Sequence, residues 1–421
     1  MWFWKLWWHF AYFIQYFFLK LIFVISRFNN IIRFNVDDRR TFELRYSDLE
    51  TINFDFGFHV SSEGELSQIH SLLEFFLKQN KSIILFFTSP SVEKKVLALR
   101  EGYPNLKIRA VIFTKMDFHF LKNIKIRHFS MCRYDFLPWL MILGLKTPHF
   151  FLLNATSIKW RNSLFFKKFL RGIFYDQFNL ITTSSKNDEL IFRNLLPHKA
   201  IMNIDLRAIE IKNRQKNFYF SDVYKKNKEI LENLKNHELT YCFGSAWSED
   251  LQLLSVPEIN QKFKKPNTFV YVFPHDLKSS NLNNMIQKCK ENGFEINIIN
   301  FSEDFERAKS GIINLVMMRG LLCEMYPFFK NVIVGGGFGE SVHSVLEPML
   351  AGCITYCGPN VFRSTEVENY KELLPSRIFV NQNIMEMAQN ILHQYSQKTE
   401  NESRGEDVEL CFNKLVGFYE T

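Results

Sequence analysis

The chain has no helix-turn-helix pattern, no zinc-finger spacing and no RNP-like motif, so its formal charge of +8 does not mark a nucleic-acid binder. It also lacks the even-numbered cysteine framework of a secreted disulfide scaffold. The seven cysteines (Cys132, Cys242, Cys289, Cys323, Cys353, Cys357 and Cys411) are odd in number and mostly lie in apolar runs, the usage of a reducing compartment. Cys353 and Cys357 are too close together, and too isolated from His or Asp partners, to read as a zinc site. No carboxylate-rich cage for a hard cation is visible, so neither a metal nor another cofactor is expected. Solenoid-period repeats are absent, and the polar 397–407 segment is the single low-complexity stretch.

What the chain has in excess is apolar and aromatic surface. Hydrophobic residues make up 47% and charged residues 23%, which excludes a disordered tail, and 421 residues exceed what one core usually holds. The first residues read MWFWKLWWHFAYFIQYFFLKLIFVISRF, with no formal charge from Leu6 to Leu19. About 20 mostly apolar residues suffice to cross a bilayer, and tryptophans favour the headgroup level. A cleaved signal peptide fits poorly, because no small-residue cleavage site follows. The segment 1–28 is therefore expected to be a membrane-anchor helix, with a helix lying in the membrane plane as the alternative. Arg27, Arg33, Arg39 and Arg40 follow it, so the body is expected on the cytoplasmic side, and with Lys20 they would anchor it to an anionic leaflet.

Along the rest of the chain, short apolar strands alternate with longer amphipathic segments, the pattern of parallel sheets with crossover helices. Strands are expected at 82–87, 108–113, 149–153 and 180–182, then at 239–243, 268–273, 295–299, 331–334 and 353–356. The polar 209–228 stretch reads as a linker between a domain at 29–208 and a second at 229–392, followed by a helical tail at 393–421. Two doubly wound domains of this kind are expected to bind ligands in the cleft at the C-terminal edges of their sheets.

Two segments carry chemistry. In the second half, the strand 331–334 runs into Gly335, Gly336 and Gly337, then a turn with Ser341 and His343, then a helix-like run bearing Glu347 and closed by Gly352. Such a turn lets the backbone approach an anion while helix-start N–H groups point at it, and Glu347 is placed to accept from ribose hydroxyls. A glycine triplet is also simply a tight turn. In the first half, His59 ends an apolar strand, Ser61 and Ser62 follow, and Gly64 and Glu65 enter an amphipathic run. A carboxylate there suits general-base activation of a hydroxyl, although it equally complements a helix dipole.

These residues resemble the Kdo transferase family, inverting GT-B glycosyltransferases that move 3-deoxy-D-manno-octulosonic acid (Kdo) from CMP-Kdo to a lipid A precursor. The family opens with a membrane anchor and an H-x-x-S-x-G-E motif, matched by His59, Ser62, Gly64 and Glu65. An N-A-x-x-S type segment is loosely similar at Asn154 and Ala155, and D-L-R is Asp205, Leu206 and Arg207. G-S-x-W-x-x-(D/E) is Gly244, Ser245, Trp247 and Asp250; P-H-(D/E) is Pro274, His275 and Asp276; G-x-L is 320–322. The last block is Gly335, Gly336, Phe338, His343, Leu346, Glu347 and Pro348, with Gly358 and Pro359.

The resemblance implies a GT-B fold, two Rossmann-like domains facing a central cleft behind an N-terminal membrane-anchor helix. It implies Glu65 as catalytic base. It implies CMP-Kdo binding by Gly244, Ser245, Pro274, His275, Gly336, Gly337, His343, Ser344 and Glu347, with His275 or Arg319 as a cation for the leaving phosphate. His59, Ser62, Gly64, Asp135 and Arg207 would line the acceptor side or the cleft. The implied partners are CMP-Kdo, a lipid A precursor (lipid IVA) and the cytoplasmic leaflet of a bacterial inner membrane, with no nucleic acid. Departures fall at 133–139, where only Asp135 keeps the acidic position, at Gly337, commonly serine, and at Ser344, where the family has Asn. A related GT-B transferase for another activated sugar, or a member that binds without turnover, are the alternatives.

Overall fold

In the computed structural model, the described residues are 2–26, 53–111, 118–133, 136–157, 172–362, 374–393 and 408–420, with isolated positions at 38, 39, 41–43, 45, 364, 366, 367 and 371. They form two compact units, 1–210 with 408–421, and 211–407. The division falls inside one helix, Leu206–Phe218, and helices Asp222–Lys226 and Lys228–Asn236 follow it. The polar 209–228 stretch is therefore largely helical.

The first unit is built on seven parallel strands: β1 (Asn53–Val60), β2 (Ile83–Phe87), β3 (Leu106–Ala110), β4 (Lys125–Cys132), β5 (His149–Ala155), β6 (Leu180–Thr183) and β7 (Ala200–Asn203). Their order is β3-β2-β1-β4-β5-β6-β7. Helices cover both faces, so the central strands are buried along most of their length. Every residue of β2 is buried, yet Ile83, Leu85 and Phe87 pack on one face and Ile84 and Phe86 on the other. The C-terminal helix Val408–Glu420 completes this unit. Its Tyr419 ring packs on Phe56, Phe58, Phe76 and Phe151, and its hydroxyl lies 2.5 Å from Ser130 Oγ.

The second unit repeats the plan with β8 (Thr240–Ala246), β9 (Phe269–Pro274), β10 (Ile296–Ile299), β11 (Ile313–Val316), β12 (Asn331–Val334), β13 (Ile354–Cys357) and β14 (Ile378–Val380). Their order is β10-β11-β9-β8-β12-β13-β14, again all parallel. In each sheet the winding reverses once, between β1 and β4 in the first and between β8 and β12 in the second. Open sheets of this type bind ligands beyond the strand C-termini at that reversal. The two segments singled out in the sequence, after β1 and after β12, leave the sheets at these two places.

The expected anchor is a helix, Trp2–Ser26, but no helix among the described residues is long and apolar enough to cross a membrane. Its histidine, glutamine, lysine, tryptophan and tyrosine residues hold its mean hydropathy down. Trp8 and Tyr12 are buried against the first unit, and Trp8 Nε1–H donates to Gln177 Oε1 at 2.6 Å. Arg39, expected as a surface charge, is bound by Glu43 at 3.1 Å and donates to the carbonyls of Thr88 and Val111. Arg27, Arg33 and Arg40 lie outside the described residues. All seven cysteines are free thiols, and six are buried.

Candidate functional site

In the first unit, the helix Glu63–Lys78 starts directly after the turn that ends β1. Ser62 is its N-cap, in extended conformation, with Oγ accepting from Glu65 N at 3.2 Å. Glu65 answers with its own cap. Its Oε2 accepts from Ser61 N–H at 2.7 Å and from Ser61 O–H at 2.8 Å, and the residue is buried. Ser62 thus satisfies one N–H that the helix start otherwise leaves open, and the two Ser61 donors fix the carboxylate at the sheet reversal. Gly64 sits in the first helical turn without a positive φ, and a Cβ there would meet only Ser62 Oγ, at 3.9 Å. Nothing in the fold demands glycine at 64; its effect is open space beside Glu65.

His59 is fully buried. Its Nε2 lies 2.6 Å from Thr88 Oγ1, and burial pushes its pKa down to about 3, so the ring is a neutral tie between β1 and the turn after β2. Two further residues at this edge adopt left-handed backbone without being glycine, Arg133 (φ 64°) after β4 and Asn154 (φ 53°) in β5. Such conformations persist where surrounding structure over-determines them. Asn154 is 3% exposed and its Nδ2 lies 3.3 Å from Gln68 Oε1, which also receives the Cys132 thiol. Asp135 lies outside the described residues. Arg207 is held by Asp205, which binds its backbone N–H at 3.0 Å and its guanidinium at 2.8 Å. Its charge is thereby met within its own helix start.

In the second unit, four segments distant in sequence converge at the C-terminal ends of β8, β9, β11 and β12. β8 ends in a bulge where its register against β9 shifts, and Ser245 takes φ 51°. The following Trp247 lies 4.9 Å from the His275 ring, centroid to centroid, and donates from Nε1 to His343 Nε2 at 3.1 Å. His275 and His343 are stacked, with centroids 4.0 Å apart and planes 13° from parallel. Burial, followed by the neighbouring His275, pushes His343 down to about 4, and burial lowers His275 despite the attraction of Asp276. Both rings are neutral near pH 7. The cations beside this cluster are Lys278 and Arg319, which line a cavity of about 560 Å³ together with Ser245, Trp247, Pro274 and His275.

The glycine turn is shaped as much by protein packing as by any ligand. Gly335 N–H donates to Gly244 O at 2.9 Å, adding one rung to the β8–β12 ladder, and Gly336 (φ 84°) donates to Asp250 Oδ2 at 3.2 Å. A Cβ on Gly337 would lie 2.6 Å from Gly358 N, so the two glycines pack backbone to backbone. Two of the N–H groups expected for an anion are thus committed, one of them to a carboxylate. The helix carrying Glu347 is short, Leu346–Leu350, and Gly352 (φ 83°) follows it. Ser344 is exposed, and the Glu347 carbonyl accepts from Gln215 at 3.2 Å.

Asp250 is the residue whose role the sequence pattern left unassigned. Its Oδ2 accepts from Trp247 N–H at 2.8 Å as well as from Gly336 N–H, and so ties the turn after β8 to the turn after β12. Burial raises its pKa to about 6, against the opposing pull of those two N–H groups. The signal that could have found it was its place three residues after a tryptophan at a strand end.

Among solved structures, the chain is similar to UDP-GlcNAc 2-epimerase from Neisseria meningitidis bound to UDP-GlcNAc, at 11% identity and TM-score 0.53, covering 86% of this chain and 99% of that one. A UDP-forming trehalose-phosphate synthase from Burkholderia xenovorans matches at 9% identity and TM-score 0.48 over 87% of this chain and 99% of that one. The C-terminal CMP-Kdo binding domain of WaaA from Acinetobacter baumannii matches at 15% identity and TM-score 0.34 over 47% of this chain and 98% of that one. No family model matches the chain, and no curated protein matches it. At these identities the likeness to the epimerase concerns the fold, two parallel α/β units of the GT-B type.

Proposed function

We propose that the chain is a glycosyltransferase that moves Kdo from CMP-Kdo to a glucosamine hydroxyl of a lipid A precursor, with inversion, at the cytoplasmic face of a bacterial inner membrane. The observation that carries this reading is the convergence, around one cavity of the second unit, of the Ser245–Trp247, Pro274–His275 and Arg319–Gly320 segments, with His343 stacked on His275. The Ser245–Trp247, Pro274–His275, Gly320 and His343 positions are among those on which the family resemblance rests. In this reading the nucleotide occupies that cavity, and Arg319 and Lys278 meet its phosphate. The stacked histidines, neutral as held, serve as hydrogen-bonding and packing surface rather than as cations.

Glu65 accepts the proton of the acceptor hydroxyl as that oxygen bonds to the anomeric carbon of Kdo. The bond from that carbon to the CMP phosphate breaks, and CMP leaves with the electron pair. The Ser61 donors keep the carboxylate oriented, and Gly64 leaves room for the incoming sugar.

The test is a transfer assay with CMP-Kdo and lipid IVA, read as mass additions, on the wild type and Glu65→Gln. The variant is expected to keep CMP binding and its fold, because the amide oxygen still accepts from Ser61, and to lose at least a hundredfold in turnover, the low end for a general base. Unchanged turnover removes the base assignment. Wild-type inactivity with intact CMP binding supports a binding protein that kept the fold. Turnover only with a uridine-linked sugar moves the donor to the class named for the epimerase neighbour.

A further inference from the structure

The first unit has a cavity of its own, at the edge of its sheet opposite Glu65. It opens among the first residues of β1 and β4 and the segment before β5, with a volume of about 630 Å³. The eight residues of β1 separate it from the Glu65 turn by about 25 Å, at roughly 3.3 Å per residue. Four cations ring it, Lys122, Lys125, Arg127 and Lys146. The only carboxylate among its described lining residues, Asp55, is occupied by Ser82, accepting from its N–H at 2.9 Å and its hydroxyl at 2.8 Å. Its floor is apolar, with Phe54, Ile124 and Leu143. A basic rim over an apolar floor fits an anionic amphiphile better than a free ion.

What lies beside the bowl narrows the ligand further. The helix Pro138–Gly144, whose Leu143 belongs to the floor, is the element on which the N-terminal helix packs. Lys5 of that helix is close enough to Lys146 to help lower its pKa, after burial. The same helix leaves a stripe of Phe3, Leu6, Phe10, Phe13, Phe17 and Leu21 exposed at helical spacing. From Phe13 to Ile25 none of its described side chains is buried. An unpartnered apolar stripe beside a basic bowl is the pairing that a membrane interface rewards, acyl region to one and phosphate to the other.

We propose that this bowl is a binding site for the phosphate headgroup of an anionic phospholipid, seated while the N-terminal helix lies in the plane of the leaflet. The site holds the protein on the membrane independently of the acceptor, and it deepens the membrane placement given above, on which it rests.

The experiment is flotation of the full chain with vesicles of phosphatidylcholine, alone or doped with phosphatidylglycerol, comparing wild type with Lys122→Gln/Lys125→Gln. A control of equal charge, Lys94→Gln/Lys186→Gln, alters exposed lysines on helices at the other edge of the sheet. The wild type is expected to prefer the anionic vesicles. The bowl variant is expected to lose about fivefold of that affinity per lysine, at about 1 kcal/mol for each basic residue near an anionic surface. The control pair should lose less, and all three chains should melt at the same temperature. Wild type that floats with neither vesicle overturns the membrane placement itself. Wild type that floats equally with both, a bowl variant that keeps the preference, an equal loss in the control pair, or abolition by inorganic phosphate at low concentration each overturns the headgroup site while leaving membrane attachment standing.

Discussion

Replacing Asp250 by asparagine tests the account of the turns after β8 and β12 most directly. In the wild type a single carboxylate oxygen holds both Trp247 N–H and Gly336 N–H, and burial raises its pKa to about 6, some two units above an ordinary aspartate. Because the folded chain binds this proton more tightly than the unfolded chain, Asp250 favours the folded state fully below about pH 4. That contribution is lost as pH rises through about 6. At 1.36 kcal/mol per unit, the buried charge costs about 3 kcal/mol at pH 7.

Asparagine keeps an oxygen in the same place without the charge. After allowing about 1 kcal/mol for desolvating the amide, Asp250→Asn is expected to be more stable than wild type by about 2 kcal/mol at pH 7. Asp250→Ala removes the same charge but strands both N–H groups, and is expected to be less stable than Asp250→Asn by about 2–6 kcal/mol, at about 1–3 for each group. His343, lowered to about 4, contributes in the opposite sense, losing stability as pH falls below its unfolded value near 6.5, so the wild-type profile alone is ambiguous. The informative quantity is the difference between the asparagine and wild-type chains in urea denaturation at pH 4, 5, 6 and 7. If that difference does not grow with pH, the charge is not buried at the turn and the account of the site is wrong.

Gly64→Ala should raise stability by about 0.5–1 kcal/mol, since a methyl there meets nothing closer than 3.9 Å and alanine favours helix, while lowering transfer activity because it fills the space beside Glu65. A more stable variant with full activity removes that role for Gly64. Gly337→Ser should cost about 1–3 kcal/mol because its Cβ runs into Gly358, and an unchanged thermal midpoint would contradict the backbone packing. Ser245→Gly should relieve backbone strain at φ 51° and stabilise the chain by about 1 kcal/mol, read by the same denaturation series; destabilisation would show that the hydroxyl matters more than the strain.

The sequence carried the architecture well wherever the signal was local. Apolar runs such as 331–334 coincide with a strand, and 83–87 and 180–183 differ from expectation by a residue. Strands with polar or weak patterns were not legible: β4 reads KIRHFSMC, and β7 and β14 are only four and three residues long. They gain strand character from neighbours in the sheet rather than from their own residues. The polar 209–228 stretch lacked a strand pattern, and tertiary packing of its sparse apolar positions, Ile209, Ile211, Phe218 and Tyr224, holds it as helix.

By itself the sequence determined two parallel α/β units and the chemical types available at their turns, because glycine, N-cap serine and apolar runs act through local backbone preference. It could equally suggest that Gly335, Gly336 and Gly337 cradle an anion. Only the tertiary structure decided that Gly336 donates to Asp250 and that Gly337 packs on Gly358, because both partners come from other strand ends of the sheet. The same holds for the histidines. His275 and His343 are separate polar residues in the sequence, and only the fold stacks their rings 4.0 Å apart, where partial burial lowers both below the ordinary imidazole value.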